Sequence, residues 1–215
     1  MPAKIKKENI LAALETANKN PEIDGIIVQL PLPESTWTDE IIGAISPDKD
    51  ADGFHPKTRT ALEHSDYKIM PVLLRVVLHL IESAGLKLNN CQTTLVAKSS
   101  VFSAAFKGVF EKAGANFTSV LPDDPSIPLK TKNADILIVA AGKPKFIKAE
   151  MVKPGACVID IGINEIEGRL VGDVDFDSVS EICGAITPVP GGVGPLTVAY
   201  LLLNVTEAAL RNVQK

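Results

Sequence analysis

A segment rich in glycine and proline is the most unusual chemical feature of the sequence. Residues Pro188–Thr197 read P-V-P-G-G-V-G-P-L-T, with three glycines in four residues. Backbone N–H groups at such positions can approach a ligand because no Cβ stands in the way. A helix is predicted from Leu196, and a helix N-terminus favours anionic or electron-rich groups. The segment therefore predicts a loop that lines a small-molecule site.

Two polar side chains nearer the start of the chain are further candidates for ligand binding. Gln29 belongs to Ile26–Leu30, an apolar run that predicts a buried parallel strand. Open α/β sheets bind ligands at the carboxyl ends of their strands, although a turn that only ends the strand is an equally good interpretation. Asp50 and Asp52 precede Gly53, where a carboxylate could pair with the N–H groups of a heterocycle or form an Asx-turn.

Composition and charge exclude several classes of function. The 215 residues are 46% hydrophobic and 22% charged, as in ordinary globular proteins, and the net charge is −4. This balance argues against nucleic acid or an anionic membrane as the partner. The three cysteines and the paired aspartates lack the spacing of metal sites, so no metal is predicted. No signal peptide or apolar run able to span a bilayer is recognised, and a soluble cytoplasmic protein is expected.

Hydrophobic periodicity predicts an α/β fold. The predicted helices are Glu8–Asn18, Thr38–Ile45, Val72–Ala84, Ser103–Ala113 and Leu196–Asn212, and the predicted strands are Ile26–Leu30, Thr93–Ala97, Asn116–Val120, Ile136–Ala140 and Cys157–Ile161. Strands separated by helices imply a doubly wound parallel sheet. We expect residues 67–186 to form this Rossmann-like lobe. Residues 1–66 would form a partial α/β lobe, to which residues 187–215 return.

Turns after three of the predicted strands would face a dinucleotide bound to such a sheet. Lys98 and Ser99 follow the first of them and could contact phosphate, although the turn lacks G-x-G-x-x-G and a surface lysine there is equally ordinary. Gly142 and Gly162 follow two later strands. The two glycines together indicate a nucleotide site more strongly than either does alone.

Six motifs, in their order along the chain, carry a resemblance to a known family. They are D-G-I-I-V-Q-L-P-L-P, P-D-K-D-A-D-G-F-H-P, A-D-I-L-I-V-A-A-G-K-P, V-I-D-I-G-I-N, V-G-D-V and I-T-P-V-P-G-G-V-G-P-L-T. They resemble the bifunctional methylenetetrahydrofolate dehydrogenase/methenyltetrahydrofolate cyclohydrolase, the FolD family. The resemblance runs from about Glu8 to the C-terminus.

This resemblance implies a homodimeric enzyme of one-carbon metabolism, with a folate lobe and a nucleotide lobe on either side of a cleft. It implies oxidation of 5,10-methylenetetrahydrofolate with NADP (NAD being possible), followed by hydrolysis to 10-formyltetrahydrofolate. The implied catalytic residues are Gln29, which would position the catalytic amine, and Asp52, which would anchor the pterin. The implied substrate-binding set is Gln29, Leu30, Pro31, Asp52, Pro190, Gly191, Gly192, Val193, Gly194 and Pro195. The implied cofactor-binding set is Lys98, Ser99, Ala141, Gly142, Gly162, Ile163, Asn164 and Thr197.

The sequence also departs from the family pattern. The family's Tyr-x-x-x-Lys element lies upstream of the first residue, so we expect this chain alone to have little activity. Pro71-Val72-Leu73-Leu74 replaces Pro-Cys-Thr-Pro, the cofactor turn Ala97–Ala105 keeps only Ser99, and Pro122 stands where a serine commonly contacts the cofactor. Two alternatives to the bifunctional enzyme are a catalytically impaired folate-binding or dimerising remnant and a different nicotinamide oxidoreductase.

Overall fold

The structure is a computed structural model that describes residues 5–30, 32–64, 69–98 and 100–213. The chain divides into two compact units. One consists of residues 1–73 and 199–215, and the other of residues 74–198.

Helices dominate the first unit. They are α1 (Lys7–Lys19), α2 (Thr38–Gly43), α3 (Pro56–His64) and the start of α4 (Val72–Ser83). The predictions of α1, α2 and α4 are confirmed, whereas α3 was not predicted. Ile10 and Leu14, one helical turn apart on α1, pack with Ile26 and with the isoleucines of the α2 region in one apolar core.

The prediction of a buried strand at Ile26–Leu30 is wrong for the residues that the structure describes. Ile26 forms one parallel bridge with Asp50, in which the Ile26 N–H donates to Lys49 O at 2.7 Å and the Ile26 carbonyl oxygen accepts from the Ala51 N–H at 3.1 Å. The pairing stops there, and the side chains of Ile27 and Leu30 are 46% and 40% exposed. A β-branched apolar run forms a strand only where a neighbouring backbone continues the ladder, and propensity cannot supply one.

The second unit is built on a five-stranded parallel sheet. Its elements in chain order are β1 (Gln92–Ala97), α5 (Ser100–Lys112), β2 (Asn116–Val120), α6 (Ile127–Lys132), β3 (Ile136–Ala140), β4 (Cys157–Asp160), β5 (Asn164–Ile166), β6 (Arg169–Val171), α7 (Phe176–Ser180) and β7 (Ala185–Ile186). The strand order is β2-β1-β3-β4-β7, and every pairing in this sheet is parallel. The predicted doubly wound sheet is confirmed. The strands β1, β3 and β4 are buried almost throughout, and β3 reads as a continuous apolar run, as expected of a strand covered on both faces.

An antiparallel hairpin of β5 and β6 stands apart from this sheet and was not predicted. Its two-residue turn is Glu167-Gly168, and both residues have positive φ, at 51° and 76°. Two-residue hairpin turns with this geometry match the twist of the flanking strands. The short strands and the glutamate at the first turn position hid the hairpin in the sequence.

The last helix, α8 (Val193–Val213), begins three residues earlier than predicted. By length and composition alone it is apolar enough to cross a membrane, so the expectation that no segment meets that test is wrong. Within the first unit, the buried Asn204 side chain of α8 donates to Ala51 O at 2.8 Å and to Met70 O at 3.0 Å. These two hydrogen bonds satisfy the buried Asn204 amide and fix α8 to the backbone at Ala51 and Met70.

Candidate functional site

The strand order reverses between β1 and β3, which makes their carboxyl ends the switch point of the sheet. Open α/β sheets bind their ligands in the crevice at such a point. Lys98 follows β1, and its Nζ donates to the carbonyl of Gly142, which follows β3, at 3.3 Å. The structure therefore brings these two predicted cofactor residues together. Ser99 lies outside the described residues.

The loops after β3 and β4 are joined by a carboxylate that sequence reasoning missed. Asp173 is fully buried, and its two oxygens accept from the backbone N–H groups of Gly142 and Lys143 and from Asn164 Nδ2, each at 2.8 Å. Gly142 and Asn164 are both predicted cofactor residues. Asp173 thus fixes one loop against the other with three hydrogen bonds.

A second buried carboxylate, at the end of β4, holds the first. Asp160 accepts from the N–H groups of Gly162 at 2.9 Å, Asp173 at 3.1 Å and Val174 at 2.8 Å. Its own N–H donates to Thr187 Oγ1 at 2.8 Å, which reaches the start of the glycine-rich segment. Burial raises the pKa of Asp160 to about 6, against the opposing effect of these N–H donors.

Two glycines lie directly against these carboxyl groups. A Cβ on Gly162 would overlap the carboxyl group of Asp173, and a Cβ on Gly172 would overlap that of Asp160. Around them, Ala141 is buried, whereas the side chain of Ile163 is 67% exposed at the carboxyl edge. Ile163 is therefore the one apolar side chain among the predicted cofactor residues described here that is available to a ligand.

Lys143 ties a third loop to this edge and was also missed. Its Nζ donates to Pro122 O at 2.9 Å and to Asp123 Oδ1 at 2.6 Å, both after β2, and lies 5.0 Å from the ring centre of Phe146. The bond to Lys143 lowers the pKa of Asp123. Pro122 stands where the family pattern predicts a serine. In this structure its backbone carbonyl and the neighbouring Asp123 carboxylate both accept from Lys143 Nζ.

The glycine-rich segment is part loop and part helix, and the helix begins at Val193 rather than at the predicted Leu196. Pro188–Gly192 forms the loop, with a cis peptide bond before Pro190, and Val193, Gly194, Pro195 and Thr197 lie in the first turn of α8. Val193 is buried, and Thr197 Oγ1 donates to Gly194 O at 2.6 Å.

The three glycines of this segment differ in backbone conformation and in their surroundings. Gly191 has φ of 107°, a conformation that favours glycine. Gly192 donates its N–H to Pro188 O at 2.9 Å, and a Cβ there would collide with that carbonyl. Gly194 alone faces open space. The chain's own backbone accounts for two of them, and Gly194 remains the best candidate for close approach by a ligand.

In the first unit, Gln29 and Asp52 lie three and two residues beyond the bridge that pairs Ile26 with Asp50. Gln29 is exposed and donates from Nε2 to Leu30 O at 3.2 Å. Asp52 is half-buried. Pro31, another residue of the predicted substrate-binding set, lies outside the described residues.

Burial makes the carboxyl pair around Asp52 chemically distinct. It raises the pKa of Asp52, and the charge of Asp50 raises it further. Asp50 is almost fully buried, so its pKa is also raised; Oδ2 accepts from the His55 N–H at 2.6 Å, while Oδ1 has no hydrogen-bond partner among the described residues. His55 Nδ1 accepts from the Lys57 N–H at 3.0 Å, which leaves Nε2 to donate to Gly43 O at 3.2 Å. These hydrogen bonds make His55 a structural residue.

A cavity of about 230 Å³ lies beside the loop in the second unit and contains none of the predicted site residues. It is lined by Lys145, Val171, Gly172, Val174, Phe176, Asp177, Pro188 and Val189. Six of the predicted cofactor residues that the structure describes follow the carboxyl ends of β1, β3 and β4, namely Lys98, Ala141, Gly142, Gly162, Ile163 and Asn164.

A doubly wound parallel sheet with residues from three strand ends gathered at its switch point defines a nucleotide-binding unit of the dinucleotide type. The comparisons with known proteins agree. The family model "tetrahydrofolate dehydrogenase/cyclohydrolase, NAD(P)-binding domain" matches residues 71–213, and the catalytic-domain model of the same family matches residues 1–52. The chain belongs to the tetrahydrofolate dehydrogenase/cyclohydrolase family.

Individual relatives support this assignment. The chain is 42% identical over 209 residues to the bifunctional protein FolD of Polynucleobacter asymbioticus, covering 97% of this chain and 74% of that protein. The FolD protein of Geobacillus kaustophilus gives the same figures. The crystal structure of FolD from Campylobacter jejuni matches with a TM-score of 0.91 and 36% identity over 97% of this chain and 75% of that one.

A structure from Trypanosoma brucei is also similar, with a TM-score of 0.93 and 30% identity over all of this chain and 76% of that one. It is described as an N5,N10-methylenetetrahydrofolate dehydrogenase-cyclohydrolase (FolD) complexed with NADP cofactor and inhibitor. The resemblance stated from the motifs is confirmed.

Proposed function

We propose that this chain oxidises 5,10-methylenetetrahydrofolate to 5,10-methenyltetrahydrofolate with NADP and hydrolyses the product to 10-formyltetrahydrofolate. The observation that carries the proposal is the carboxyl edge of β1, β3 and β4, where Lys98, Gly142 and Asn164 converge within the part of the chain that matches the NAD(P)-binding domain. The alternative of a non-catalytic remnant is not favoured by relatives that are bifunctional enzymes. Low activity of this chain alone stays a prediction.

The chemistry divides between hydride transfer and hydration. NADP, when bound, accepts the hydride that leaves the methylene carbon. Water then adds to the methenyl carbon, a C–N bond opens, and a proton is released. Positioning supplies much of the rate in such reactions, so the chain's contribution is to hold the folate and exclude competing geometries.

The proposed residue roles follow the predicted sets. In the first unit, the Asp52 carboxyl group would pair with pterin N–H groups, and Gln29, Leu30 and Pro31 would contact the same substrate. Pro190–Pro195 would line the folate side, where Gly194 offers the open approach. Lys98 would supply a cation for the cofactor, and Ile163 an apolar contact. The rest of the cofactor set is Ser99, Ala141, Gly142, Gly162, Asn164 and Thr197.

We also propose a functional division of the chain, with residues 1–66 and 187–215 serving the folate and residues 67–186 the cofactor. A cytoplasmic homodimer without nucleic-acid or membrane partners fits the net charge of −4 and the absence of any basic cluster beyond Lys4–Lys7. Sedimentation of the purified chain tests the dimer, and a monomer at micromolar concentration would contradict it.

The activity is tested by mixing the purified chain with methylenetetrahydrofolate and NADP, or NAD, and following the absorbance of the methenyl product. We expect folate-dependent reduction of NADP at a low rate, and a further loss of about 10²-fold or more in D52N because an anchoring group is removed. E34Q, which alters an exposed carboxylate of the same unit, is the matched control and should leave the rate unchanged. Binding of NADPH and of a folate analogue without turnover would support the remnant instead.

A further inference from the structure

We propose that Asp173 is a positioning residue for the cofactor loops, held in place by Asp160, and that Gly162 and Gly172 are glycines in order to make room for these two carboxyl groups. The inference rests on the proposed cofactor site and assigns to the chain residues that act on it without touching the cofactor.

Asp173 lies between two loops. Gly142 and Lys143 follow β3, and Asn164 follows β4, yet all three donate to the one carboxyl group at 2.8 Å. Hydrogen bonds to a charged acceptor are shorter and stronger than neutral ones. A single side chain therefore sets the separation of the two segments that follow β3 and β4 at the predicted cofactor site.

Asp173 and Asp160 also determine which groups of these loops are available to a ligand. The N–H groups of Gly142, Lys143 and Gly162 all point inward to the carboxylates. Among the described residues at this edge, the Gly142 carbonyl accepts from Lys98 Nζ, and the Ile163 side chain is exposed. Such a surface suits the uncharged parts of a dinucleotide, and it leaves phosphate recognition to Lys98.

Asp160 supports Asp173. Asp160 Oδ1 accepts from the N–H groups of both Gly162 and Asp173, and Oδ2 accepts from Val174. The backbone of Asp173 is thus fixed from the end of β4. Asp160 and Asp173 are 3% and 0% exposed, so losing a partner would leave polar groups unpaired in the interior.

The carboxyl groups of Asp173 and Asp160 explain why positions 162 and 172 are glycines. Neither Gly162 nor Gly172 has a positive φ, so backbone conformation does not require glycine at these positions. What excludes a side chain is the space taken by the Asp173 and Asp160 carboxyl groups. At Gly162 the glycine that the sequence associates with a dinucleotide is explained by the protein's own interior.

A double-mutant cycle tests this arrangement, with the dissociation constant of NADPH measured by fluorescence titration and stability by urea unfolding. We expect G162A and D173A each to weaken NADPH binding by about tenfold or more, since buried bonds that order the loops are lost. In the D173A background, G162A should add less than about twofold, because the space is then free. D173N keeps the volume of the side chain, so G162A should remain costly in that background.

D135N is the matched control, since Asp135 also accepts a backbone N–H, at the opposite edge of the sheet. Its NADPH affinity should stay within about twofold of the parent chain. In turnover, D173N should raise KM for NADP more than it lowers kcat. If D173A does not fold, the comparison of D173N with D135N still decides: equal affinities would overturn the proposal.

Two results would show that the proposal is wrong. One is D173A or D173N with reduced stability but unchanged NADPH affinity, which would make the network merely structural. The other is an equal loss of NADPH affinity on G162A in all backgrounds, which would show that Gly162 is required by the ligand and not by Asp173. Failure of the parent chain itself to bind NADPH would instead refute the proposed function.

Discussion

At each edge of the parallel sheet an aspartate accepts hydrogen bonds from backbone N–H groups, but the two aspartates differ in their surroundings. At the amino edge, Asp135 accepts from the Gln92 N–H at 2.8 Å and from Lys153 Nζ at 2.6 Å, and its side chain is 34% exposed. At the carboxyl edge, Asp160 accepts only from backbone N–H groups among the described contacts, and it is buried.

The pKa values of the two groups shift in opposite directions for this reason. The bond to Lys153 lowers the pKa of Asp135, whereas burial raises that of Asp160 to about 6. A solvated carboxylate beside a lysine adds a little stability, and a buried one fixes the geometry of the backbone around it. The carboxyl edge is therefore where geometry matters most.

The largest expected effect is from G172A, which places a methyl group inside the Asp160 carboxyl group. Overpacking a rigid interior should lower the free energy of unfolding by about 3 kcal/mol. Urea unfolding measures this, and G43A, at a glycine facing open space, is the control. A fully stable G172A would remove the distinction between the edges.

The next effect is on pH dependence. Because the pKa of Asp160 is raised to about 6 in the folded chain, folding is favoured by its proton, and this advantage is lost as pH rises from about 4 to 6. The stability of the parent chain relative to D160N should fall over that window by roughly 2–3 kcal/mol. A difference that does not change with pH would contradict the buried environment assigned to Asp160.

A smaller effect is expected at Thr187, whose Oγ1 accepts from the Asp160 N–H at 2.8 Å. T187V replaces the hydroxyl with a methyl group and leaves that buried N–H unpaired, at about 1–2 kcal/mol in the free energy of unfolding. T187S keeps the hydroxyl and serves as the control. The hydrogen bond is unimportant if T187S is the less stable of the two.

The smallest effect is expected for D135N, below about 1 kcal/mol near neutral pH because the pair with Lys153 is solvated. Its pH dependence should have the opposite sign to that of D160N. The lowered pKa of Asp135 gives stability that is lost as pH falls below its usual range, so the advantage of the parent chain over D135N should shrink in acid. Parallel profiles for the two variants would show that the edges do not differ.

Periodicity predicted β1, α5, β2, β3 and β4 of the second unit, and the strands β1, β3 and β4 are buried almost throughout. It failed at Ile26–Leu30, because the neighbouring backbone pairs with this segment only at the single bridge between Ile26 and Asp50. It also missed α3, α6, α7, β7 and the β5–β6 hairpin, which are short segments without a strong pattern.

The network of Asp160 and Asp173 could not be read from the sequence, although both residues stand in motifs that carried the resemblance. The two positions are 13 residues apart and separated by the hairpin, so only the tertiary fold brings them together. One signal was present: an aspartate ends the apolar run of β4, where an unpaired charge would be costly.

The overlap of volumes at the carboxyl edge has an evolutionary consequence. Gly162 and Asp173 compete for one space, as Gly172 and Asp160 do for another, so neither member of a pair can enlarge unless the other shrinks first. The four positions should therefore be inherited as linked pairs. Among relatives, an alanine at position 162 should appear only with a shortened side chain at position 173, and the intermediate with only the alanine should be rare.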